Sequence, residues 1–160
     1  MSRHGFSKIM LLAEGTEEGM EAARRAIQLA ADEGAVLHIV SVVDTHTLKQ
    51  LLTYRIFVED EMRQYEQDLE ESCHKQLDYV ARLATKERVE YRTSLLTGAC
   101  HTSVLREQGR VGADLLVMGA FRPSTVKTNL LAREKQLIMD EIRCPVLLVP
   151  PASEVRRPWT

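Results

Sequence analysis

The 160-residue chain predicts an α/β domain: an open, doubly wound, parallel five-stranded sheet with helices on both faces. Three observations carry that expectation. Short runs such as "KIMLL", "VLHIVSVV", "DLLVMG" and "CPVLLV" are almost continuously apolar, as strands covered on both faces are. Between them lie segments whose apolar residues recur at helical spacing. The two kinds alternate as β-α-β-α-β-α-β-α-β, and helical crossovers of this kind make neighbouring strands parallel.

The first strand, in "SKIMLLAEGT", runs into a turn at Glu14-Gly15-Thr16. Thr16 is placed to cap the next helix, with Glu17 and Glu18 in a first turn where negative charge suits the macrodipole. In "EEGMEAARRAIQLAADEG", Met20, Ala23, Ile27 and Ala30 keep a helical spacing and Gly34 supplies the stop. "AVLHIVSVVD" is the second strand. Residues 45–58, "THTLKQLLTYRIFV", are too apolar for a disordered linker yet lack a clean period. They read as a connection with a short helical turn, packed near the strand ends or against a partner.

Residues 59–87 form a long amphipathic helix with Met62, Tyr65, Leu69, Cys73, Leu77, Val80 and Ala84 on one stripe. "RVEYRTSLLTG" is a strand alternating Val89, Tyr91 and Leu95. A short helix carrying Val104, Leu105 and Val111 follows, ending near Gly109 or Gly112. "ADLLVMG" is a fully buried strand, "LAREKQLIMDEIR" the last amphipathic helix, and "CPVLLVP" the closing strand. The whole chain, 1–160, is one domain with a core over about 7–150 and a tail over 151–160.

Composition removes several function classes. Lys and Arg number 21 against 23 Asp and Glu, a formal charge of −2. No basic field is left to follow a nucleic-acid backbone. The apolar runs are far too short to span a bilayer, and "MSRHGFSK" lacks the apolar stretch of a secretory signal. Cys73, Cys100 and Cys144 are scattered, with no C-x-x-C pair, and read as reduced thiols of a cytosolic protein. The expectation is a cytoplasmic protein with neither nucleic-acid nor membrane partner.

Ligands of open α/β sheets sit beyond the carboxyl ends of the strands, where strand order reverses. The candidate crevice is therefore lined from Ala13, Glu14, Val42, Met118, Gly119 and Arg122, with Arg133 at the start of the last helix. Gly119 opens a turn resembling a phosphate cradle, but Arg122, Pro123, Ala132 and Arg133 follow where further glycines would let a phosphate approach. Glycine is needed where the backbone takes positive φ or meets a phosphate without a Cβ in the way.

The segments "KIMLLAEGTEEGMEAARRAIQLA", "VLHIVSVVD", "LLTGACHTSVLREQGRVGADLLVMGA" and "EIRCPVLLVPP" together resemble the universal stress protein A family across residues 7–150. The resemblance implies strand order 3-2-1-4-5, cytoplasmic residence and a homodimer paired through the last strand, Pro145 to Val149. ATP-binding members carry G-x-x-G, nine further residues, then Gly and Ser or Thr. Laid on this chain, those positions are Gly119, Arg122, Ala132 and Arg133, so three of four elements are lost. The family's acidic residue near the adenine edge falls on Glu14, here read mainly as support for the first helix's N-terminus, and its backbone partner falls on Val42.

The functional expectation is thus a stress-response protein acting by binding and interaction, with no bound cofactor. The alternatives are a sensor holding ATP, ADP or AMP through Arg122, Lys127 and Arg133, and a regulatory partner docking through residues 45–60. His4, His38, His46, His74 and His101 show no metal-ligand spacing. Cys100, near a helix start, reads first as a buried, inert thiol, with a lowered pKa and redox sensing as the secondary reading. "GACHTSVL" brings Ser and His close, but one helical turn does not assemble a triad, and no enzyme is expected.

Overall fold

The computed structural model describes residues 5–52, 59–121 and 129–154. The elements run β1 (Lys8–Leu12), α1 (Glu17–Glu33), β2 (Val36–Val43), α2 (Thr45–Leu52), α3 (Glu59–Lys86), β3 (Tyr91–Thr97), α4 (Cys100–Val111), β4 (Leu115–Gly119), α5 (Leu130–Glu141) and β5 (Val146–Val149), closed by a 3-10 turn (Ala152–Glu154). The five strands form one sheet in the order β3-β2-β1-β4-β5, and every pairing is parallel. This is the predicted fold and strand order.

The side-chain period of two splits each central strand between two cores. Ile9 and Leu11 of β1, Leu115 and Val117 of β4, and Leu37 and Ile39 of β2 face α1 and α3. Met10 and Leu12, Leu116 and Met118, and Val40 face α4 and α5. Burying each such side chain stabilises the fold by about 1.5–3 kcal/mol, and both cores need it, so the apolar runs are continuous rather than alternating. Met10 and Met118 are fully buried and fill the second core.

The helix ends follow local chemistry. Thr16 is the N-cap of α1, its hydroxyl accepting the Gly19 N–H at 3.0 Å. Gly34 and Gly112 close α1 and α4 in the left-handed region, at φ 66° and 72°, which a residue with a Cβ enters only at a cost. Gly112, and not Gly109, is therefore the stop of α4. The third strand starts later than the alternation predicts. Val89 lies ahead of it, buried, and its N–H bonds Ala84 O at 2.9 Å to close α3.

Residues 45–52 are more regular than expected. Asp44, counted with the preceding strand, accepts the Thr47 N–H and the Thr47 hydroxyl, both at 2.8 Å, and so caps α2. The remainder of that unreadable stretch, 53–58, lies outside the described residues.

Candidate functional site

Strand order reverses between β1 and β4, because β1 leads by α1 to β2 on one side while β4 leads by α5 to β5 on the other. The turns after β1 and β4 therefore meet at the switch point. Ala13 is buried, and its N–H is engaged by Val40 O at 2.7 Å. Met118 is wholly in the α4–α5 core and offers the crevice only main chain. Val42 is half-buried at the end of β2. Arg133 is exposed on the first turn of α5, whose N-cap, Asn129, accepts the Leu131 and Ala132 N–H groups. Arg122, Pro123 and Lys127 lie outside the described residues.

Gly119 has a reason of its own to be glycine. A Cβ there would stand 2.8 Å from Glu18 Cγ and 3.0 Å from the Gly19 nitrogen. The N-terminal turn of α1 is pressed onto the end of β4, and only a bare Cα fits beneath it.

Glu14 departs from the helix-capping role assigned from sequence. Its carboxylate turns to α5, where Lys135 Nζ donates to Glu14 Oε2 at 2.8 Å and to Gly119 O at 3.0 Å. Side-chain exposure is 3% for Lys135 and 10% for Glu14, so this is a buried ion pair. The second carboxylate oxygen, Oε1, is buried with no hydrogen-bond partner among the described residues. Burial pushes the Glu14 carboxyl above the usual glutamate range, the Lys135 ammonium and its hydrogen bond pull it part of the way back, and Glu18 adds to the rise.

The start of α4 completes the crevice. Its N-cap, Ala99, has no side chain to offer. Two carboxylates from elsewhere take its first N–H groups instead: Asp44 Oδ2 accepts from Cys100 at 3.3 Å, and Glu134 Oε2 accepts from His101 at 2.9 Å. Glu134 also contacts the His101 ring at Nδ1.

Of the two readings of Cys100, this fits the buried, inert thiol and not the reactive one. Burial pushes the thiol far up, and Asp44, Glu14 and Glu134 add to the rise against the opposing Lys135. Cys73 and Cys144 are also raised, by burial first. Among the described residues no group of three or more His, Cys, Asp or Glu side chains is arranged to hold a metal ion.

Sequence reasoning missed Lys135 and Glu134, while Asp44 fell within the turn after the second strand that it had assigned to the crevice. A signal for Lys135 was present. Ala132, Lys135 and Ile138 share the buried stripe of α5, and a lysine on such a stripe requires a buried acceptor.

The comparisons with known proteins agree with this architecture. A universal stress protein of Methanocaldococcus jannaschii is 26% identical over 144 residues, covering 90% of this chain and 82% of its own. Among solved structures, a universal stress protein family member from Burkholderia pseudomallei superposes with a TM-score of 0.71 at 22% identity, over 94% of this chain and 100% of its own. A universal stress protein solved in complex with cAMP superposes at 0.66 with 20% identity, over 92% and 99%. Among the described residues no helix is long and apolar enough to cross a membrane. With residues 5–150 matched by the model of the universal stress protein family, the chain belongs to that family.

Proposed function

We propose that this protein serves in stress response by binding and interaction, as a cytoplasmic homodimer, without efficient ATP binding. One observation carries the reading. The Lys135 ammonium sits at the switch point between Glu14 and the Gly119 carbonyl, so the floor of the crevice is filled by the chain's own charges. A ligand group meant for Glu14 Oε2 competes there with the Lys135 ammonium, which already neutralises the carboxylate. The sequence around it supports the same reading: Arg122, Ala132 and Arg133 stand where an amide cradle needs glycines and a hydroxyl.

The dimer is proposed at β5, which among the described residues pairs only with β4 and leaves its other edge unpaired. Leu147 on that strand is 37% exposed, and an apolar open edge is a pairing site.

A second reading, a sensor for ATP, ADP or AMP held by Arg122, Lys127 and Arg133 side chains, is favoured by the solved universal stress protein in complex with cAMP. Calorimetric titration separates the two. The natural chain is expected to give no heat with ATP or AMP. The variant Arg122→Gly, Ala132→Gly, Arg133→Ser, Lys135→Ala is expected to gain ATP affinity by tenfold or more, about 1.4 kcal/mol. Tight AMP binding by the natural chain would favour the sensor. No gain in the variant would contradict the filled-crevice account.

A further inference from the structure

The start of α4 holds an arrangement that binding does not use. Glu134 and His101 have side-chain exposures of 8% and 26%. Glu134 Oε2 accepts the His101 backbone N–H and also meets ring Nδ1. In the neutral ring with its proton on Nδ1, Nδ1 donates to the Glu134 carboxylate and the imidazole lone pair lies on Nε2. That lone pair faces Thr102 Oγ1 at 3.3 Å, and Thr102 is exposed. Carboxylate, imidazole and hydroxyl stand in the order that activates a hydroxyl nucleophile. The contact is long, as such bonds are before a substrate tightens the site.

The spacing within "GACHTSVL" does not reveal this, because the orienting carboxylate comes from α5, 33 residues away. One further feature belongs to the same turn. The N–H groups of Cys100 and His101 are engaged by Asp44 and Glu134, whereas that of Thr102 has no partner among the described residues. A spare donor at the positive end of a helix, beside the nucleophile, suits a developing oxyanion.

We propose that Thr102 is an acyl-acceptor site, activated by His101 and Glu134, for activated carboxylic esters such as aryl esters and thioesters. Oγ1 attacks the carbonyl carbon, and its proton passes to His101 Nε2. The bond from carbon to the leaving oxygen or sulfur breaks, and Nε2 returns the proton to the leaving group. The product is an ester on Thr102, with no change of oxidation state. Glu134 is a positioning residue that fixes the tautomer.

The full chain is incubated with p-nitrophenyl acetate, followed by nitrophenolate release, intact mass and peptide mapping. The expected result is an acetyl group on Thr102, retained in Thr102→Ser and lost in Thr102→Val, a change at an exposed position. His101→Gln is expected to slow labelling by about 10²-fold. Free imidazole added to His101→Gly is expected to restore part of the rate, which a purely structural histidine would not allow. Acetyl found only on lysines or the amino terminus overturns the proposal, as does labelling of Thr102 at an undiminished rate in His101→Gln.

Discussion

A lysine ammonium withdrawn from water needs both a counter-charge and hydrogen-bond acceptors, and Lys135 has Glu14 Oε2 and Gly119 O. Glu14 is less well served. It is buried, its Oε1 has no partner among the described residues, and burial is the largest cause of its raised pKa. A carboxyl whose folded pKa is raised adds stability below its unfolded value and loses that contribution as pH climbs through the folded one. Lys135→Met removes the group that restrains the rise. Urea denaturation at pH 7 is expected to show a loss of about 3–5 kcal/mol. The loss should shrink as pH falls and Glu14, its pKa raised by burial, takes up a proton. The double variant Glu14→Gln, Lys135→Met is expected to recover most of it, because a neutral pair leaves no stranded charge. Equal losses in the single and double variants would mean the pair contributes packing alone.

Among the elements, Asp44 joins three of them: it directly follows β2, caps α2 through Thr47, and accepts the first N–H of α4. Asp44→Ala therefore removes two caps at once. The expected cost is about 1–2 kcal/mol, with faster amide exchange at both Thr47 and Cys100. Protection lost at Thr47 only would show that the Cys100 contact adds nothing. This residue also explains what the sequence left unread. The long helices and buried strands announce themselves through period and apolar runs, whereas α2 depends on a cap that looks like the tail of a strand. The same holds for the crevice. Ala13, Glu14, Val42 and Gly119 were legible because strand ends determine where a switch point lies. Glu134 and Lys135 approach from a helix distant in sequence, and only the fold brings them to Glu14 and His101.

For the whole molecule, the alternation of strands and helices was sufficient for a parallel sheet covered on both faces, because continuous apolar strands need that cover and right-handed crossovers leave few ways to supply it, while the strand order came from the family resemblance. The edge of β5 that is unpaired among the described residues makes the oligomeric state the next consequence. Leu147→Lys places a charge on that edge, a device that blocks strand pairing. Analytical ultracentrifugation is expected to show a dimer for the natural chain and a monomer for the variant. A dimer in both would move the interface elsewhere.

The central claim is that the chain's own charges fill the crevice. Its most direct test is the nucleotide content of protein purified without added nucleotide, denatured and resolved by chromatography. The account predicts no adenine nucleotide in the supernatant; release of one ATP or AMP per chain would contradict it.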